Sequence, residues 1–79
     1  MLVTIRAASL RKGQTGAITN VTGERGLVRR LRDMGLTPGT RIRCEGKAPL
    51  GDPIEIEVMG YRLTLRKNEA DCLVVEVDA

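Results

Sequence analysis

Glycine and proline divide this chain so often that few elements in it can be long. One or the other stands at positions 13, 16, 23, 26, 35, 38, 39, 46, 49, 51, 53 and 60. Before residue 61, no stretch free of both exceeds twelve residues. Glycine weakens helix and strand interiors, and proline removes a backbone donor. A chain divided in this way folds as several short elements joined by turns. Between the breaks the apolar residues alternate. Ile42 and Cys44 alternate with Arg41, Arg43 and Glu45, and Ile54, Ile56 and Val58 alternate with Glu55 and Glu57. Leu63 with Leu65, and Leu73 with Val75 and Val77, repeat the pattern. A period of two marks strands with one buried face. Strands are therefore predicted over 41–46, 54–58, 61–66 and 72–77, and the apolar residues within 3–6 and 15–21, the latter closed by Thr22-Gly23, read as two more. Arg11-Lys12-Gly13 and Met59-Gly60 read as tight turns, Ala48 to Pro53 as a turn-rich loop, and residues 68–71 as a single helical turn.

One segment has another period. In ERGLVRRLRDM, residues 24–34, Leu27, Val28, Leu31 and Met34 share one side of a helix, while Arg25, Arg29, Arg30, Arg32 and Asp33 cover the rest. Gly26 weakens its first turn, and a helix this short persists only if its apolar stripe is docked. The run that follows, LRDMGLTPGTRI (residues 31–42), ends the helix. With Gly35 in the left-handed position, Leu36 and Leu31 are the pair that touches in a Schellman cap. Pro38 and Gly39 then occupy the two central positions of a type II turn. The expected fold is mainly β with short helices: a small barrel of five or six strands with one docked helix, closed so that few edges stay exposed.

The 79 residues read as one domain, 42% hydrophobic and 29% charged, without repeats or low-complexity tracts. No apolar run reaches the ~18 residues of a membrane span, and the first residues lack the order of a secretory signal. A cytosolic protein without direct membrane insertion is expected. Cys44 and Cys72 stand alone, and there is no histidine. That set offers neither a structural zinc site nor a Cys–His pair, so both cysteines are read as small apolar fillers. No catalytic residue, metal ligand or cofactor is expected. GQTGAIT (13–19) lacks the spacing and the lysine of a phosphate loop and reads as a turn. The net charge of +3 conceals an asymmetry. Residues 1–47 carry ten Lys/Arg against three acids (+7), and residues 48–79 carry three against seven (−4). Such a division gives an oriented field.

LRDMGLTPGTRI, KAPLGDPIEIEV and LTLRKNEADCLVVEV together closely resemble the ferrous-iron transport protein A (FeoA) family over roughly residues 9 to 77. The residues that carry the likeness are Met34, Gly35, Leu36, Pro38, Gly39, Pro49, Gly51, Asp52, Pro53 and Arg66, all read as structural. The module is also similar to the C-terminal domain of iron-dependent repressors. The resemblance implies an SH3-like barrel without enzymatic activity. It also implies a partner, the membrane ferrous-iron transporter FeoB, bound through its cytosolic part, and a role in supporting or regulating iron uptake. It carries over no catalytic or metal-ligating residue.

Two surfaces are candidates for binding that partner. The first is the outer side of the helix: Arg25, Val28, Arg29, Arg30 and Arg32, where arginine beside a half-covered valine suits an interface. The second is the APLGDP loop, with Leu50 at its tip. The competing readings are solvated arginines over a core Val28, and a Leu50 tucked under its own turn. A metal-responsive module using Asp52, Glu55 and Glu57, and a basic barrel binding nucleic acid, are the alternative functions. No nucleic acid is expected, because Tyr61 is the only aromatic residue and stacking platforms need several.

Overall fold

Alternating segments need partners, and in the computed structural model, which describes residues 1–78, they find them in one antiparallel sheet. The strands are β1 (Leu2–Arg6), β2 (Thr15–Val21), β3 (Arg41–Lys47), β4 (Ile54–Val58), β5 (Tyr61–Leu65) and β6 (Leu73–Asp78), in the order β1-β6-β2-β3-β4-β5. Every ladder is antiparallel. β1 and β5 are the two edges, so the curled sheet is not closed by pairing between its ends. Bulges interrupt β2 between Ile18 and Asn20 and β3 between Cys44 and Gly46, where such devices bend a strand.

The inward residues are those the alternation marks. Ile42, Cys44, Ile54, Ile56, Val58, Leu65, Leu73, Val75 and Val77 are buried in a single cluster with Ile18, Val21, Leu31 and Leu36. Each such aliphatic side chain contributes about 1.5–3 kcal/mol on burial. Leu63, expected to point inward, is only half-buried, as its position on edge strand β5 allows. A short 3-10 turn at Ala7–Ser9, which has no periodic signature, buries Ala7 beside Leu10 and packs on the second helix, α2 (Lys67–Ala70).

The main helix, α1 (Arg25–Asp33), is capped at both ends. At its start the Glu24 carboxylate accepts hydrogen bonds from the backbone N–H groups of Gly26 (2.8 Å) and Leu27 (3.3 Å). A Cβ on Gly26 would stand 3.2 Å from that carboxylate, so this glycine gives the cap room as well as weakening the turn. At its end Gly35 has φ +90°, Leu36 N–H donates to the Leu31 carbonyl (3.1 Å), and Gly35 N–H donates to that of Arg32 (2.9 Å). That pair of bonds is the Schellman motif, and Leu31 and Leu36 are both fully buried beneath it. The Tyr61 hydroxyl, from β5, donates to the Met34 carbonyl at 2.6 Å and ties the helix end to the β4–β5 hairpin. Thr40 N–H then closes the turn onto Thr37 at 3.0 Å, with Gly39 at φ +94°.

Candidate functional site

Docking the Leu27–Leu31–Met34 stripe fixes which arginines face outward. Leu31 is buried, Leu27, Val28 and Met34 are half-buried against the core, and the opposite side of α1 is solvent. Arg25, Arg29 and Arg32 recur there at steps of four and three residues, so they stack along one line of the helix. Beside them runs a groove of about 500 Å³, whose walls are the three arginines, Asp33, Val28 and the Val21-Thr22-Gly23 end of β2. Val28 at the edge of the stripe supplies its apolar surface together with Val21. All three arginines are exposed, and among the described residues none makes an ion pair or a side-chain hydrogen bond.

Arg30 leaves this group. It lies on the other flank of α1, where its guanidinium pairs with the Glu69 carboxylate of α2. Glu69 also accepts from the backbone N–H of Arg66 (2.8 Å), so one carboxylate caps α2 and holds α1. Arg66, at the N-cap position, has no side-chain acceptor for the backbone donors that follow. Asp52 supplies one from the APLGDP loop, its Oδ1 accepting the Lys67 N–H at 3.0 Å. This is the physical link between the two distant stretches APLGDP and LTLRKNEA: one caps the helical turn of the other. The loop itself is closed by Ala48 N–H to the Pro53 carbonyl (3.0 Å) and Gly51 N–H to that of Ala48 (2.8 Å). Leu50 at its tip is wholly exposed, with φ +72°.

The carboxylates considered for metal are engaged elsewhere. Glu55 pairs with Arg62 (3.4 Å) and Glu57 with Arg43 (3.9 Å), while Asp52 caps α2. Among the described residues no three Asp, Glu, Cys or His side chains are grouped to hold a metal ion. Glu45 completes the outer face of β3–β5, 2.7 Å from Arg43 and 3.5 Å from Arg62. The hydrogen bond from Arg43, helped by the charges of Arg43 and Arg62, holds its carboxyl below the usual carboxylate range. Cys44 is buried as a filler. Cys72 is half-buried against Gly23, with its Sγ 3.4 Å from the Asn68 carbonyl. Burial, reinforced by Asp71, pushes its thiol pKa up, which disfavours the reactive thiolate. Tyr61 is partly exposed, but its hydroxyl is committed to the helix end. No helix among the described residues is long and apolar enough to cross a membrane.

Known proteins are similar to this chain in sequence and fold. The FeoA domain family matches residues 5–77. A solution structure of a FeoA-like protein from Clostridium acetobutylicum is 38% identical, with a TM-score of 0.87 over 96% of this chain and 88% of that one. Stenotrophomonas maltophilia FeoA, crystallised with zinc and described as a procaryotic SH3 domain protein, is 28% identical, with a TM-score of 0.79 over 90% of this chain and 88% of that one. A Fe(2+) transport protein A/Fe(2+) transporter FeoB fusion protein of Porphyromonas gingivalis is 32% identical over 73 residues. Those residues are 92% of this chain and only 9% of the fusion protein, so the chain spans a small part of that relative's length. The fold of six antiparallel strands with short helices is SH3-like.

Proposed function

Because this chain belongs to the FeoA family, which is linked to ferrous iron transport, we propose that it is a cytoplasmic accessory protein of ferrous iron uptake. It acts without catalysis of its own, by binding the cytosolic part of a FeoB-type membrane transporter and reaching the membrane through that partner. The observation that carries the reading is the Porphyromonas gingivalis protein, in which the two activities are named as one polypeptide. Fusion of such a domain to a transporter in one polypeptide supports the reading that the two work together.

The docking surface in this reading is the outer side of α1 and its groove. Arg25, Arg29 and Arg32 present unpaired guanidinium groups beside half-buried Val28, a combination of arginine and apolar area that interfaces favour. Arg30 is left out of this surface because Glu69 holds it.

The test is a titration of the purified protein against the detergent-solubilised FeoB transporter of the same organism. Wild type is expected to bind, and Arg29→Glu/Arg32→Glu is expected to bind at least about tenfold more weakly, since reversed rim charges oppose the partner's field. The variant's melting temperature should stay within a few degrees of wild type, as both side chains are exposed and unpaired. Absence of wild-type binding, or equal binding by the variant, overturns the assignment. Retention of wild type on a single-stranded oligonucleotide, falling steeply with salt, would favour the nucleic-acid reading instead.

A further inference from the structure

Leu50 combines two properties that a leucine avoids. It is 102% exposed, the most exposed of the large apolar residues, and its backbone is left-handed at φ +72° and ψ +7°. Among the described residues only Met59 shares a positive φ without being glycine, and Met59 sits in the two-residue Met59-Gly60 turn that demands it. No such hairpin constraint governs the longer connection from β3 to β4. Glycine would suit the position better, and a leucine would ordinarily turn inward. Here neither relaxation occurs. The two backbone bonds within the loop and the Asp52 cap on Lys67 fix the tip, so Leu50 stands out on a rigid mount. Strain retained at an exposed position by an over-determined surround is a signature of function.

The flanks of the loop define what it meets. Arg66 and Glu69 line the groove on one side of Pro53, and Lys47 and Glu55 line that on the other. Each flank carries both signs of charge, whereas an anionic bilayer calls for a uniformly basic rim around an inserted apolar residue. A protein pocket with an apolar floor and a polar rim fits the mixed pattern. Glu69 on the first flank is itself held by Arg30, on the side of α1 away from the Arg25–Arg29–Arg32 line.

We propose that Leu50 is a preformed apolar anchor that enters an apolar pocket on the protein partner, the FeoB-type transporter. The inference rests on the function proposed above and adds a second contact to the α1 surface. Fixing the anchor before binding removes the ordering cost that a flexible leucine would incur.

The experiment measures affinity for the solubilised transporter and thermal melting for wild type, Leu50→Gly and Leu50→Asn. Glycine accepts the left-handed conformation freely and asparagine tolerates it, so both variants keep the loop's shape without the apolar side chain. Leu50→Gly is expected to melt about 2–5 °C higher than wild type through relief of strain. Both variants are expected to bind about ten- to a hundredfold more weakly, the equivalent of losing one buried leucine. Equal affinity of the two variants and wild type, while Arg29→Glu/Arg32→Glu still weakens binding, overturns the anchor and leaves the proposed function standing. Failure of wild type to bind the transporter overturns both. Leu50-dependent capture on phosphatidylglycerol vesicles, or Leu50-dependent dimerisation by sedimentation, overturns the choice of a transporter pocket.

Discussion

Two arginine-bearing surfaces of this protein carry similar residues and behave in opposite ways. On the outer face of β3–β5, the register sets Arg43 opposite Glu57 and Glu57 opposite Arg62, with Glu45 bridging Arg43 and Arg62. Cations and anions there neutralise one another. On α1, the three outward arginines share their line with Val28 and the single acid Asp33, and among the described residues none is paired. Arginine content therefore identifies neither surface as a binding site. What separates them is what the secondary structure places across from each side chain: a complementary strand in one case and solvent in the other. The unpaired set keeps its field available to a partner, and the paired set contributes to the fold.

The largest loss is expected from truncating the leucine that anchors α1. Leu31 is fully buried and supports both the α1 stripe and the Schellman contact with Leu36. Leu31→Ala is expected to cost about 2–5 kcal/mol, the range for truncating a buried leucine. In an 8.6 kDa domain that is a drop of at least about 10 °C in melting temperature. The helix surface should be lost first, because α1 is held by few apolar contacts, and the β3–β5 face should persist until the sheet unfolds. Amide hydrogen exchange checks this. Protection of Arg29 to Asp33 should fall well before that of Ile54 to Val58, and equal loss in both would show that helix and sheet open as one unit.

Much of this architecture was legible because it is local. Alternation located β3, β4, β5 and β6 to within one residue, and Gly35, Leu36, Pro38 and Gly39 specified the helix stop and the turn after it, since each satisfies a backbone demand of its own. The remainder depends on partners far along the chain. Asp52 caps α2 from 15 residues away, and Glu69 holds Arg30 from 39 residues away, so neither pairing has a sequence signal. The role of Gly26 was read only in part, because Glu24 is an uncommon cap and its need for space appears only in three dimensions. Arg25, Arg29, Arg30 and Arg32 were grouped by the helical period. Separating Arg30 from them required knowing where α2 packs. The turn residues around Leu50 mark it as a candidate protrusion, while its left-handed backbone runs against the propensity of leucine and has no sequence cue.

A gentler pair of substitutions sharpens the contrast between the surfaces. Arg62 bridges Glu45 and Glu55 from a side chain that is 65% exposed. Arg62→Ala should destabilise by at most about 1 kcal/mol, the ceiling for exposed ion pairs, and less at high salt. Arg32→Ala, unpaired on α1, should leave stability unchanged within about 0.5 kcal/mol while weakening transporter binding. Melting curves at low and high salt distinguish the two. A salt-sensitive loss at Arg32 in place of Arg62 would mean that the paired and unpaired assignments are reversed.

The smallest expected effect is the acid response of the paired surface. Glu45 is held below the usual carboxylate range by the hydrogen bond from Arg43 and by the charges of Arg43 and Arg62. A carboxyl whose folded pKa is depressed binds its proton more readily in the unfolded chain. Its contribution is therefore complete above the unfolded value, about 4.3 for glutamate, and disappears as the pH falls through the lower, folded value. Glu45→Gln should accordingly melt slightly below wild type at pH 7, and the gap should close as the pH is lowered through the unfolded value and then the lower, folded one. A gap between wild type and Glu45→Gln that stays constant across the acid range would show that the glutamate acts by shape and neutral hydrogen bonding. The β3–β5 face would then owe little to charge, and the distinction between the two arginine surfaces would rest on the α1 side alone.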